Sequence, residues 1–194
     1  PLAGHEQIDV PRLIDLVRRE YREAGVEPGK VDTGAVIITG ETAKKHNADE
    51  ILQALGGMAG EFVVTVAGPN LESMIAGRGS GAAAYSQKHF SRVTNVDIGG
   101  GSANSALFDT GKLICAAAMN YGGRILEIDH ASGAVTHIAQ PAHAILESIG
   151  LRLQPGDTPG LADLRRFTGC MADLTLELIE GGQSPLAGQL YLTP

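Results

Sequence analysis

Asn95-Val-Asp-Ile-Gly-Gly-Gly-Ser-Ala-Asn104 is the most informative segment of the chain. Three consecutive glycines, Gly99 to Gly101, stand between two apolar segments, Val93–Ile98 and Ser102–Phe108. Glycine loses more backbone freedom on ordering than any other residue, so three in a row are costly unless side chains would obstruct something. One task that side chains obstruct is presenting several N–H groups to an anion at close range, in a concavity made of backbone. Ser102 adds a hydroxyl donor, and Asn104 joins Gly99, Gly100, Gly101 and Ser102 as a phosphate-binding candidate. Asp97, at the end of its strand, is placed to orient a water on Mg²⁺, a cation that keeps several waters and takes few carboxylates. The plainer alternative is a bulged hairpin that needs glycine for its geometry alone.

Two other phosphate loops do not fit. A dinucleotide fingerprint leads from a strand into a helix, whereas Ser102–Phe108 alternates and turns again at Asp109-Thr-Gly111, so a strand follows. A P-loop requires Gly-Lys-Ser/Thr, and the chain has none. Working outward, Val93–Ile98, Ser102–Phe108 and Lys112–Ala118 read as an antiparallel meander joined by hairpin connections. Arg124–Ile128 and Ala134–Ile138 add two strands, and helices follow at Ala142–Ile149 and within Leu161–Ile179.

Upstream, Asp9 caps a helix with Pro11 in its first turn and Val10, Leu13, Ile14, Val17 and Tyr21 on one face. Ala35–Thr39 reads as a strand buried on both faces, being a short β-branched run. A helix near Ala43–Leu55 and a second buried strand, Phe62–Ala67, complete a βαβ pattern with parallel pairing. Leu71–Ile75 is helically spaced and runs into Gly77-Arg-Gly-Ser-Gly81, read as a loop or hinge. This places a first lobe at 1–80, a connector at 77–91 and a second lobe at 92–194.

Composition excludes several classes. Apolar residues are 43% and charged residues 19%, as in a globular domain. No apolar run reaches the ~20 residues of a spanning helix, so no membrane partner is expected. A net charge of -7 with no Trp argues against nucleic acid. Cys115 and Cys170 lie in apolar stretches and read as reduced core residues. The six histidines show no i, i+4 pair, hence no metal site. Tyr121-Gly-Gly-Arg124 reads as a tight bend with a surface arginine, the alternatives being close approach of backbone to a ligand and, for Arg124, reach to a phosphate or a partner carboxylate. Glu41 and Glu72 read first as helix-terminal acids. The alternative for Glu41 is that it faces an inter-lobe cleft.

Asp97-Ile-Gly-Gly-Gly-Ser102 resembles the second phosphate motif of the actin/Hsp70/sugar-kinase superfamily, and the spacing from Glu72 to Asp97 is similar to that in its chaperones. The resemblance implies an α/β, ribonuclease H-like, two-lobed ATPase fold with mixed sheets flanked by helices. It also implies ATP and Mg²⁺ as ligands, with Glu72 near the attacking water and Asp97 as the second catalytic acid. Asp32-Thr-Gly-Ala-Val-Ile-Ile-Thr-Gly-Glu-Thr42, Phe62–Ala67 and Gly68-Pro-Asn-Leu-Glu-Ser73, taken with the hairpin, resemble the EutA family of ethanolamine utilisation proteins. That resemblance implies an ATP-dependent, chaperone-like reactivating factor for adenosylcobalamin-dependent ethanolamine ammonia-lyase, which releases damaged cobalamin. Cobalamin would then be met only through the partner enzyme. The implied setting is cytoplasmic, associated with a bacterial microcompartment, and a homodimer is left open.

The superfamily's first phosphate motif is missing from Pro1–Asp9 and its adenosine motif would fall beyond Pro194. The chain is therefore expected to be a fragment cut at both ends, which alone binds nucleotide weakly or not at all. The rival readings are a small-molecule kinase on the same fold, an interaction module that never holds nucleotide, and a repair factor for another cobalamin mutase.

Overall fold

The computed structural model of the chain describes residues 8–38, 48–56 and 61–194, in two compact units, Pro1–Gly68 and Pro69–Pro194. In the first, helix α1 (Val10–Glu23) starts where Asp9 accepts the Arg12 amide at 3.0 Å and Pro11 fills the first turn. Strands β1 (Thr33–Ile38) and β2 (Glu61–Val66) pair in parallel, Thr33 opposite Glu61 through Ile38 opposite Val66. Helix α2 (Ala48–Gly56) lies between them in sequence, as the βαβ reading requires. Among the described residues Ile8, Ile38, Ile51 and Leu55 form a core cluster, and Val10, Leu13 and Val17 pack on it. β1 departs from expectation: it alternates exposed and covered residues, so one face is buried and Ile37 stays in solvent. Thr39 and Glu41 lie outside the described residues.

The second unit opens with helices α3 (Pro69–Gly79) and α4 (Ala82–His89). Strands β3 (Arg92–Ile98), β4 (Ala103–Asp109) and β5 (Lys112–Met119) form the antiparallel meander in the order β3-β4-β5. Arg92 Nε donates to Asp109 at 2.9 Å across the open end of the β3–β4 hairpin. That hydrogen bond holds the Asp109 carboxyl below the ordinary carboxylate range. Thr110 and Gly111 both have positive φ, 51° and 82°, the geometry of a type I′ hairpin turn. A small hairpin, β6 (Leu126–Ile128) and β7 (Val135–Ile138), precedes helices α5 (Gln140–Ser148), α6 (Leu161–Glu180) and α7 (Pro185–Leu190).

β4 is covered on both faces, which is why Ala103, Asn104, Ser105, Ala106 and Phe108 are all buried. Ala103 joins the main core with Met119, Tyr121, Ile145, Phe167 and Leu174. Ala106 and Phe108 meet α3 at Gly77, where a Cβ would stand 2.4 Å from the Phe108 ring. Of the glycine-rich Gly77–Gly81, only Ser80 and Gly81 form a loop: the helix continues to Gly79, and Gly77 lets it lie against the sheet. The stretch 77–91 is mostly helical and belongs to the second unit, whose boundary falls at Gly68/Pro69. The cysteines also differ from expectation. Cys115 is exposed and Cys170 half-buried, both free thiols. Cys115 sits in the Lys112–Cys115 end of β5, which is uncovered despite its apolar sequence.

Candidate functional site

β3 ends at Ile98 opposite Ala103, so Gly99–Ser102 make the turn of the hairpin. The Gly99 amide donates to the Ser102 carbonyl at 2.8 Å. The turn rests on a second piece of backbone, Tyr121–Arg124, which follows β5. The Gly123 amide donates to the Gly99 carbonyl at 2.9 Å, and the Arg124 amide to the Gly100 carbonyl at 2.7 Å. Only glycine permits this contact. A Cβ at residue 122 would lie 2.5 Å from the Gly99 oxygen and 2.6 Å from the Gly100 carbonyl carbon, and both are backbone atoms. The glycines after β5 thus serve close approach, to the turn itself, rather than a bend for its own sake.

This seating sets the direction of the amides. A trans peptide points its carbonyl and the following N–H in opposite directions, and the chain has no cis bond. With the Gly99 and Gly100 carbonyls turned toward Gly123 and Arg124, the N–H groups of Gly100 and Gly101 face the other way. Neither they nor the Ser102 amide donate to any acceptor among the described residues. Gly99 and Gly100 are exposed, and Gly101 and Ser102 half-buried.

Nor does the fold ask for glycine at the first two positions. Gly99 and Gly100 avoid the left-handed region. A Cβ would come no closer than 3.5 Å to the protein at Gly99, and at Gly100 would meet only the Arg124 side chain at 3.4 Å. The bulged-hairpin alternative finds no bulge here. The β3–β4 register runs unbroken from Arg92↔Asp109 to Ile98↔Ala103, and the register shift of this sheet lies at Leu107/Phe108, in the pairing with β5.

Behind the turn, Asn104 is 2% exposed and joins three neighbours. Its Nδ2 donates to Glu72 Oε1 at 3.4 Å and to Ser102 Oγ at 3.3 Å. Its Oδ1 faces Ser73 Oγ at 3.4 Å, and that hydroxyl also lies 2.9 Å from the Pro69 carbonyl and 3.2 Å from the Ala117 carbonyl. A carboxylate only accepts, so Glu72 fixes which end of the Asn104 amide faces it. Burial and these bonds place Asn104 behind the turn, as the link from Glu72 to Ser102, rather than among the exposed groups a phosphate would meet. Glu72 itself is half-buried in the first turn of α3.

Asp97 is directly opposite Asn104, and cross-strand partners share a face. Its carboxylate is therefore on the side of the sheet that carries Asn104 and Glu72, exposed and without a hydrogen bond or ion pair among the described residues. The structure thus gathers all seven sequence candidates, Glu72, Asp97, Gly99, Gly100, Gly101, Ser102 and Asn104, at one end of one sheet face. Sequence reasoning missed Ser73, whose only signal is a small polar residue beside Glu72, and the seat at Gly122–Gly123. Outward-facing amides, a serine hydroxyl and two carboxylates fit a phosphate with a hydrated divalent cation. No group of three or more His, Cys, Asp or Glu suited to a metal gathers among the described residues, so a cation here would keep waters as most of its ligands. No described helix is long and apolar enough to cross a membrane.

Residues 1–194 match a family model described as ethanolamine utilisation protein EutA. The chain is 46% identical over 178 residues to an ethanolamine ammonia-lyase reactivase EutA of Salmonella typhimurium strain LT2, covering 92% of this chain. It is 47% identical over 182 residues to a protein of that name from Escherichia coli strain K12, covering 93%. The chain spans 38% of the length of each of these relatives. Among solved structures, an Aquifex aeolicus PPX-GPPA enzyme superposes with a TM-score of 0.50 at 20% identity, over 90% of this chain and 48% of that one. The likeness is one of fold, and the fold is the actin/Hsp70-like α/β class; the described sheets, one parallel and two antiparallel, are flanked by helices.

Proposed function

This chain belongs to the EutA family of ethanolamine utilisation proteins, and from that premise we propose that the whole protein is an ATP-dependent reactivating factor of ethanolamine ammonia-lyase. The two curated relatives carry that reactivase name, which supports the choice of partner. The observation that carries the nucleotide half of the reading is the Gly99–Ser102 turn. Glycine stands at two positions where the fold has no need of it, and three amides beside two carboxylates have no acceptor among the described residues.

In this reading the Gly100, Gly101 and Ser102 amides, with the Ser102 hydroxyl, bind phosphate oxygens. Donors already aimed at the place where charge develops are the largest single source of stabilisation in such sites. Asp97 orients waters on Mg²⁺. Glu72, steadied by Asn104, orients the water that attacks. Bound Mg-ATP supplies a hydrolysable phosphoanhydride. Nucleotide drives release of damaged cobalamin only so far as it binds one state of the protein more tightly than another. The units Pro1–Gly68 and Pro69–Pro194 are read as parts of the first and second lobe. A cytoplasmic setting, associated with a bacterial microcompartment, goes with the same reading.

The test uses the whole protein with ethanolamine ammonia-lyase inactivated by a cobalamin analogue. Adding Mg-ATP and intact adenosylcobalamin should restore lyase activity, and Gly100→Val should abolish the recovery. Recovery that needs no nucleotide, with no Mg-ATP binding by calorimetry, would instead identify an interaction module.

A further inference from the structure

The turn has a feature that hydrolysis and reactivation do not account for. Arg124 is fixed to it twice. Its amide donates to the Gly100 carbonyl, and its stem lies over the Gly100 Cα, with Cβ, Cγ and Cδ all within 3.7 Å of the point a Gly100 Cβ would occupy. The residue is exposed and its guanidinium enters no ion pair among the described residues. The other arginine of this region, Arg92, is bound to Asp109 at the far end of the hairpin. Among the described residues, the other charged groups gathered with the turn are the acids Asp97 and Glu72, in a chain of net charge -7. Backbone amides carry only partial charges, so a cationic side chain anchored at this turn adds a full charge to their attraction for an anion.

We propose that Arg124 is the charged arm of this anion site and clamps the polyphosphate of a nucleoside triphosphate over the glycine turn. The inference rests on the phosphate reading of that turn and adds a residue to it. A guanidinium offers a planar fork that engages two phosphate oxygens at once, which a lysine ammonium does not. The stem supplies the anchor: packed on Gly100, it keeps the fork next to the turn, in the manner of long cationic side chains that bury their methylenes and leave the head in water.

The experiment is calorimetric titration of the whole protein with Mg-ATP and, separately, with inorganic triphosphate, each at two salt concentrations. Arg124→Met keeps an apolar stem over Gly100 and removes the charge, and Arg124→Lys keeps the charge and removes the fork. Arg124→Met is expected to weaken both ligands by about 10- to 100-fold, as for loss of a hydrogen bond to a charged group, and to flatten the salt dependence. Arg124→Lys should restore the salt dependence and only part of the affinity. Loss confined to Mg-ATP would show that the arm reads something other than phosphate and would overturn the proposal. So would wild-type affinity and an unchanged salt dependence in Arg124→Met, while the phosphate reading survived. If the unmodified protein binds neither ligand, that reading itself fails and this inference falls with it. Circular dichroism of each variant separates these outcomes from misfolding, and if Arg124→Met does not fold, equal affinity of Arg124→Lys and wild type is the overturning result.

Discussion

Two glycines in contact at the site have opposite reasons for being glycine. At Gly100 an added side chain meets only the flexible Arg124 stem, whereas at Gly122 it would enter the backbone of Gly99 and Gly100. Gly100→Val should therefore leave thermal stability nearly unchanged while removing nucleotide binding. Gly122→Val should lower stability by about 1–3 kcal/mol or more, the range for overpacking against atoms that cannot move. Thermal melts of the two variants beside Mg-ATP titrations check the contrast, and equal destabilisation by both would refute it. The triple glycine was legible in the sequence as a place where backbone must be bare. Its seat was not, because Gly99 and Gly123 are brought together by the meander and no local pattern records that contact. Asn104 was legible as part of the site but not as a buried link, since its burial comes from α3 lying across it.

Element by element, the sequence marks what is periodic or punctuated. The β3–β4 and β4–β5 connections, the βαβ pattern and α6 all follow from short-range rules of turn chemistry and apolar spacing. Which face of an element is covered is a tertiary matter. That is why β1 is buried on one face instead of two, and why Cys115 lies in solvent. Gly77–Gly81 shows the same limit: locally it reads as a breaker, yet α3 runs through Gly77 because Phe108 leaves room for nothing larger. Gly77→Ala should destabilise the protein by about 1–3 kcal/mol despite alanine's better helix propensity. Adding Phe108→Leu should recover part of that loss, giving a double mutant more stable than the sum of the single changes predicts. Chemical denaturation of the four proteins measures the coupling, and simple additivity would mean that α3 adjusts without pressing on the ring.

Across the whole molecule, burial is uneven between elements: α1 has no fully buried residue, whereas five of the seven residues of β4 are buried. Amide exchange should therefore be slowest in β4, covered on both faces, and fastest in α1, since local opening is least costly where few apolar contacts are lost. Mass-spectrometric exchange that found α1 as protected as β4 would contradict this distribution. The actin/Hsp70-like class was readable from the glycine hairpin and its spacing to Glu72. That Gly77–Gly79 continue a helix was not, because a glycine-rich stretch looks like a linker until its packing is known.

The seating of the turn on Gly123 and Arg124 has a thermodynamic corollary. The loop is preorganised: its donors acquire their direction when the chain folds, so a phosphate arriving at them has no segment to order. Association then escapes the entropic charge that flexible binding loops bear, and the unliganded turn should keep the shape it has when occupied.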